Sequence, residues 1–400
     1  MRKTSKVPLL FLSILFIGAL VALALGFGKK EKVVPEGGTI QVPPGFEAVL
    51  YLSGLERPTS MAIGPDGRLY VAQQNGEIIS ISDADGDGVG GDKIVYATGF
   101  DLPLGITFVE DTLYVSHRGK VTRISDEDGD GVGDKQEDII IGLPVGGDLH
   151  QHVQNNRIVL GPDDFLYLSI GIDIETDAHQ GKSEESRGHQ AEEGRLGLGE
   201  ETVELGVTDK RSGTVIRFRL DGSKENIYAT GFKNPLGIAF DDEGNLFATD
   251  NGPHNPDGPD ELNHVIQGAN YGYPNRPGKQ NQPGTVPVVV ELQMNSSSNG
   301  FSFYYGDQFP EEYRGNAFIA QWGSADDPAL GKRVVRVVLE RIDGGFRGTE
   351  EVFATGFEHP ITTLVGPDGS LFVADLGSLD PERKRSGAIY RIFFKASAND

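Results

Sequence analysis

The chain contains the stretch Gly64-Pro65-Asp66-Gly67-Arg68-Leu69-Tyr70-Val71-Ala72, in which a tight turn leads into a short apolar strand. Five further copies of this pattern follow, at residues 110–115, 161–168, 242–248, 313–320 and 366–374. A unit of this kind cannot bury its own apolar face, so neighbouring units must cover one another. The repeat therefore sets the architecture, and chemistry is expected in the loops between strands.

A second strand signal with alternating apolar residues follows the copies, for example at residues 77–82, 120–124, 214–219, 332–337 and 388–393. Four strands per unit, arranged radially, form a β-propeller. Six copies predict an all-β, six-bladed β-propeller over residues 39–396. An early strand near Phe46 to Leu52 would close the ring beside the last blade. A pair of β-sandwiches is the competing architecture.

The amino-acid composition excludes some classes of protein function. The chain has 400 residues, with 55 glycines and 22 prolines, which suits many tight turns between short strands. Its net charge of -23 argues against nucleic acid as a partner, because phosphate binding needs a basic face. The chain contains no cysteine, which excludes disulfides and thiol nucleophiles.

The N-terminal segment has the pattern of a targeting signal. Basic residues at positions 2, 3 and 6 precede an apolar run over residues 8–27, and Ala22-Leu23-Ala24 offers a small-residue cleavage site. The run is also long enough to span a bilayer without cleavage. We expect residues 1–28 to be a signal peptide or membrane anchor and residues 29–38 a linker. The protein is therefore predicted to act outside the cytoplasm, either released or anchored.

Two aspartate-rich segments have the pattern of calcium loops. Residues 126–131 with Glu137 meet the D-x-D-x-D-G-x5-E template, which places several oxygens around one hard cation. Residues 83–88 begin in the same way, but Ile94 stands where the glutamate belongs. The alternative is an ordinary turn, since Asp and Gly favour turns. The predicted metal ligands are Asp126, Asp128, Asp130 and Glu137.

Two histidines precede the third repeat strand. His150 and His152 are two residues apart, so an extended backbone would aim them the same way. A histidine there can act as a general base near neutral pH. The alternatives are a hydrogen-bonded loop histidine and metal ligation by the pair.

A run of polar and glycine-rich loops follows in the next unit. Its segments are residues 231–237, 250–254, 260–263 and 268–274. They supply amide, cation, carboxylate and backbone carbonyl groups on consecutive loops, which indicates a binding site without naming its ligand. A set of ordinary tight turns is the alternative.

These segments resemble the glucose/sorbosone dehydrogenase family, whose members are six-bladed propellers that use pyrroloquinoline quinone (PQQ). The resemblance spans roughly Pro43 to Phe394. It rests on the ordered series Asn-Pro-x-Gly, Gly-Pro, Asp-Glu-Leu-Asn and Asn-Tyr-Gly-x-Pro, and on residues 304–315.

The resemblance implies a role for individual residues. His152, with His150 as the alternative, would take the proton from a sugar hydroxyl as hydride passes to the quinone. Lys233 and Asn234 would lie beside the quinone. The carbonyls of Gly252 and Pro253 would bind a cofactor calcium, and a structural calcium would involve Glu261 and Tyr271. Basic residues would hold the cofactor carboxylates: Lys332 and Arg333, with Lys384 and Arg385 as substitutes.

The chain departs from the family pattern at three places. Lys233 stands for an arginine and lacks its planar fork. Residues 101–105 contain no glutamine, and residues 322–325 read Trp-Gly-Ser-Ala in place of a histidine-glycine-serine-tryptophan signature. These differences leave glucose itself an open question as substrate.

The functional hypothesis is an exported, PQQ- and calcium-dependent sugar or aldose dehydrogenase with a small sugar substrate and an electron acceptor of unknown identity. The alternative is a non-enzymatic propeller that binds a glycan or a protein. A metal-dependent lactonase on a similar ring is a third reading.

Overall fold

Six four-stranded antiparallel sheets form the fold. The computed structural model describes residues 39–83, 86–145, 154–172, 209–252, 258–273, 286–324, 327 and 329–395. All of them belong to one unit, Pro35–Asp400. Within this described part, no helix is long and apolar enough to cross a membrane. The apolar run 8–27 and the linker 29–38 lie outside the described residues.

The strands are short and follow the repeat. In chain order they are β1 (Phe46–Leu55), β2 (Pro58–Ile63), β3 (Leu69–Gln73), β4 (Ile78–Ile81), β5 (Lys93–Ala97), β6 (Gly105–Val109), β7 (Thr112–His117), β8 (Lys120–Ser125), β9 (Lys135–Ile141), β10 (Asn155–Leu160), β11 (Phe165–Ile170), β12 (Thr214–Arg219), β13 (Asn226–Thr230), β14 (Ile238–Phe240), β15 (Leu246–Asp250), β16 (Asp260–Val265), β17 (Val290–Leu292), β18 (Ser298–Phe303), β19 (Ala317–Gln321), β20 (Arg333–Ile342), β21 (Gly345–Thr355), β22 (Pro360–Val365), β23 (Leu371–Asp375) and β24 (Gly387–Phe394). Single 3₁₀ turns occur at Glu311–Tyr313 and Pro381–Arg383.

Each blade is one sheet. Blades 1 to 5 are β2–β5, β6–β9, β10–β13, β14–β17 and β18–β21, and blade 6 is β22, β23, β24 and then β1. The first strand of every blade contacts the first strands of both neighbouring blades, which closes a ring around a central axis. The predicted six-bladed propeller is confirmed, and the β-sandwich alternative is excluded.

The quoted repeat forms the turn into the second strand of each blade. In blade 1 the Tyr70 hydroxyl donates to the Asp66 carboxylate at 3.2 Å, and in blade 3 Tyr167 repeats this bond to Asp163 at 3.0 Å. A side chain at Gly64 would collide with the Tyr70 ring, so the turn needs glycine there. The turn is thus closed by a hydrogen bond between its own tyrosine and aspartate. In blade 1 the tyrosine ring also packs in the core between blades.

Ring closure depends on the first strand. β1 pairs with β24 antiparallel, so that the start of the propeller forms the outer strand of the last blade. Phe46 is buried in a ring of aromatic side chains. Its ring centroid lies 4.8 to 5.2 Å from those of Phe309, Tyr313, Phe353 and Phe394. The predicted closing strand is confirmed, and Phe46 fastens it to blade 5 as well.

We expect Phe46→Ala to lower the free energy of unfolding in urea by about 3–5 kcal/mol, because it removes a buried aromatic at the closure. Glu47→Ala is the matched control, since the Glu47 side chain is exposed and pairs with Lys395. That control should cost less than about 1 kcal/mol. Equal effects of the two variants would show that β1 does not fasten the ring.

Candidate functional site

The described residues 231–237 and 250–252 of the polar, glycine-rich run lie at one end of the ring, the end at which the first strand of each blade begins. We call it the upper end. First and second strands are antiparallel, so each second strand ends there, as the pairs Pro58↔Gln73 and Pro360↔Asp375 show. Neighbouring blades are linked at this level by Thr59 to Pro103, Gly119 to Asn155, Asn156 to Pro235, Asn251 to Ser297, Trp322 to His359 and Arg57 to Leu379.

A buried carboxylate positions the predicted cation and amide. The backbone N–H groups of Lys233 and Asn234 donate to the Asp250 carboxylate at 3.0 and 2.6 Å. The Lys233 ammonium donates to the carbonyl oxygen of Gly252 at 3.0 Å. All four residues are in blade 4. The structure therefore brings together three residues that the sequence singled out, while Pro253 lies outside the described residues.

Asn156 of blade 3 contacts this cluster. Its amide donates to the side chain of Asn234 and to the carbonyl of Pro235, each at 3.2 Å. The Oδ1 atoms of Asn156 and of the neighbouring Asn251 are buried and have no hydrogen-bond partner among the described residues. Buried polar atoms of this kind call for a partner. His150 and His152 lie outside the described residues; β10 begins three residues after His152.

Two further carboxylates are buried next to Asp250. Asp260 accepts hydrogen bonds from the backbone of Gly252 and Ser298 at 3.1 and 2.8 Å. Glu261 accepts from the Asn263 amide at 3.1 Å, and the Oδ1 of Asn263 is buried without a partner in the described part of the chain. Burial, followed by the Glu261 charge, raises the pKa of Asp250 to about 8. Burial also raises the pKa of Asp260, and that of Glu261 to about 7.

Tyr271 is fixed by its side chain. Its hydroxyl donates to the carbonyl of His264 at 2.5 Å and accepts from the N–H of Ile266. Its ring stacks on Phe232, with centroids 4.4 Å apart. The side chain thus holds the loop after β16 in place, with its hydroxyl engaged both as donor and as acceptor.

The two predicted carboxylate-binding cations have different surroundings. Arg333 is held within blade 5, because it donates to Gln321 at 2.6 Å and pairs with Glu350 at 3.0 Å. Lys332 has a left-handed backbone (φ 54°) and directly precedes β20, which starts at the upper end. Burial, and after it the nearby charge of Lys332, lowers the pKa of His359. Lys332 therefore faces the upper end, whereas Arg333 belongs to a structural ion pair. Of the substitutes, Arg385 pairs with Glu56 at 3.6 Å.

His359 belongs to the upper end and was missed by sequence reasoning. Its Nδ1 lies 2.7 Å from the carbonyl of Gly377. A carbonyl only accepts, so Nδ1 carries the proton and Nε2 is a lone-pair acceptor. Burial is the main cause that lowers the pKa of His359. The Trp322 ring lies 4.5 Å from it, between ring centroids. His359 is thus a neutral imidazole that can accept a proton.

A signal for His359 exists in the repeat. Residues 246–250 read Leu-Phe-Ala-Thr-Asp and residues 371–375 read Leu-Phe-Val-Ala-Asp. Asp375 accepts from the N–H groups of Glu358 and His359, each at 2.7 Å, as Asp250 does from Lys233 and Asn234. A carboxylate that ends the second strand therefore holds the loop before the first strand. Aligning the two copies places His359 at the position of Asn234, and Glu358 at that of Lys233.

The aspartate-rich loop lies between β8 and β9, at the other end of the ring. One carboxylate oxygen each of Asp126, Asp128 and Asp130 lie within 4.8 Å of one another. Glu137 is not part of this group: it pairs with Arg123 across the strands at 2.7 Å. The structure therefore brings three of the four predicted ligands together.

Comparison with known proteins places the chain in a family. The family profile described as "Domain of unknown function (DUF7133)" matches residues 36–378. Quinoprotein glucose dehydrogenase B of Acinetobacter calcoaceticus is 27% identical over 291 residues, which cover 63% of this chain and 57% of that protein. The chain thus matches little more than half of that relative's length.

Solved structures share the fold. The PQQ-bound form of aldose sugar dehydrogenase from Streptomyces coelicolor superposes with a TM-score of 0.61 at 19% identity, covering 88% of this chain and 99% of the other. The apo-form of the soluble aldose sugar dehydrogenase from Escherichia coli gives 0.60 at 18% identity, covering 87% and 99%. The similarity to quinoprotein sugar dehydrogenases that the motifs predicted is confirmed.

The lowered pKa of His359 makes a prediction for stability against pH. Below about pH 6.5 the unfolded chain takes up a proton more readily than the folded one, so stability is lost as the pH falls. We expect the stability difference between the wild type and His359→Gln to shrink from pH 7.5 to pH 5 by up to about 1.4 kcal/mol per pH unit. Urea unfolding at several pH values measures it. A difference that stays constant or grows would contradict a buried neutral imidazole.

Proposed function

Because this chain belongs to the DUF7133 domain family and shares its fold with quinoprotein sugar dehydrogenases, we propose that it oxidises a small sugar with bound PQQ. The observation that supports this best is the cluster of Lys233, Asn234 and Gly252 at the upper end, joined to blade 3 through Asn156. A ligand there is reached from several blades at once, as propeller sites commonly are.

The residues present fit such a cofactor. A quinone needs hydrogen-bond donors, and its carboxylates need cations. Lys233 supplies a buried ammonium, and Asn234 is a buried amide beside it. Lys332 adds a second positive charge at the same end. The unpartnered Oδ1 atoms of Asn156 and Asn251 provide acceptors for a polar ligand. Lys233 and Asn234 would hold the quinone, and Lys332 a carboxylate.

The cofactor and the protein would carry out different parts of the sugar oxidation. When bound, PQQ supplies a two-electron acceptor for hydride. His152 takes the proton from the sugar hydroxyl, with His150 as the alternative base. The Lys233 ammonium stabilises negative charge beside the reacting centre, because Asp250 and Gly252 already fix its position. The protein thus orients the substrate, holds a cation and moves one proton.

We propose three calcium-binding sites. The Gly252 carbonyl has a second lone pair besides the one that accepts from Lys233, and with Pro253 it would bind the cofactor calcium. The Glu261 carboxylate and the unpartnered Oδ1 of Asn263 support the structural calcium near Tyr271. The Asp126, Asp128 and Asp130 cluster would hold a third ion.

The proposed location is outside the cytoplasm, with the segment 1–28 as signal peptide or anchor. Sugar oxidation there would deliver electrons to an external acceptor, whose identity stays open. The observation behind this is the basic start followed by the apolar run 8–27.

We expect purified protein reconstituted with PQQ and calcium to reduce a redox dye in the presence of aldoses. His152→Ala should abolish turnover while PQQ still binds, because the variant loses only the base. Dye reduction and cofactor absorbance measure the two effects separately. PQQ binding or glycan binding without any turnover in the wild type would favour the non-enzymatic propeller, and absence of PQQ binding would refute the proposal.

We expect Lys233→Met to weaken PQQ binding about tenfold or more, because it removes a buried charged donor. Lys233→Arg should retain part of the affinity, since it keeps the charge. Lys395→Met is the control, because this lysine is exposed and pairs with Glu47. Affinities come from absorbance titration. If Lys233→Met bound PQQ as the wild type does, Lys233 would have no place in the cofactor site.

A further inference from the structure

Arg157 extends across the axis of the ring. It is the third residue of β10 in blade 3, and its guanidinium hydrogen-bonds the Ser60 hydroxyl in blade 1. A side chain at Gly300, in blade 5, would collide with the same guanidinium and with Thr362 of blade 6. Blades 1, 3 and 5 alternate around the ring. A group that reaches from the third to the first and fifth must therefore lie near the axis.

Among the described residues, the charge of Arg157 has no counter-charge. The residue is only 9% exposed, and none of the ion pairs of this part of the chain includes it. Burial lowers the pKa of Arg157 to about 10, so it remains protonated at neutral pH. By contrast, the buried ammonium of Lys233 lies next to the Asp250 carboxylate. A buried cation without an anion is costly, and a guanidinium has five N–H donors to satisfy.

Small neighbouring residues leave space on the axis for the Arg157 guanidinium. Gly300 and Ser60, at the same level of their strands as Arg157, are among the smallest residues, so a guanidinium can occupy the axis. Asn156, the preceding residue, contacts Asn234 at the upper end. The charge of Arg157 thus lies one residue deeper along β10 than the candidate site.

We propose that Arg157 is the receptor of an anion on the ring axis, either a carboxylate of the ligand bound at the upper end or a free inorganic anion such as halide. The carboxylate source rests on the proposed function, because PQQ is a tricarboxylate. The halide source does not depend on it.

The experiment compares the whole protein with Arg157→Met and with Arg341→Met, whose arginine side chain is 57% exposed and pairs with Glu243. Two quantities are measured: PQQ affinity by absorbance titration, and the anomalous signal of bromide in soaked crystals. If a cofactor carboxylate binds Arg157, Arg157→Met should lose PQQ affinity about tenfold to a hundredfold, whereas Arg341→Met should not. A free anion predicts bromide beside the Arg157 guanidinium, with PQQ affinity unchanged by Arg157→Met.

If Arg157→Met does not fold, two other measurements distinguish the two anion sources. They are the bromide soak of the wild type and a PQQ titration of Arg157→Lys, which keeps a charge. Bromide at Arg157 in a protein that does not bind PQQ would support this site and refute the proposed function. No bromide at the axis, together with PQQ affinity that is unchanged in every Arg157 variant that folds, would overturn the anion site and leave Arg157 a structural residue.

Discussion

Each blade has an apolar face that only its neighbour can cover, and the rest of the structure depends on that constraint. Six blades satisfy it only when the ring is closed, and β1 closes it by pairing with β24. Phe46 adds aromatic packing against residues of blade 5 at the same place. Closure makes all first strands start at one end, so loops that are far apart in sequence become neighbours.

The candidate site uses the same repeat in a second way. A polar residue that ends the second strand holds the loop before the first strand: Gln73 accepts from the N–H of Glu56 in blade 1, and Asp250 and Asp375 do the same in blades 4 and 6. These bonds fix the backbone under Lys233, Asn234 and His359. Functional side chains can then vary from blade to blade without loss of the scaffold.

Local pattern predicted most of the fold, because turn chemistry and alternation act within a few residues. It also indicated a binding site on the consecutive loops that carry Lys233, Asn234 and Gly252, and the family resemblance singled out these three residues. The local pattern could not predict contacts between blades. Nothing near Arg157 in the sequence indicates that its guanidinium lies beside Ser60 and Gly300. Glu137 shows the same limit within a sheet, since its pairing with Arg123 follows from strand register and overrides the calcium-loop template.

The functional proposal depends on PQQ binding at the upper end of the ring, between blades 3 and 4. A crystal structure of the protein with PQQ shows where the cofactor lies. We expect the quinone in hydrogen-bond contact with the Lys233 ammonium and near Asn234. Cofactor bound at another surface, with Lys233 still directed only to Gly252 and Asp250, would contradict it.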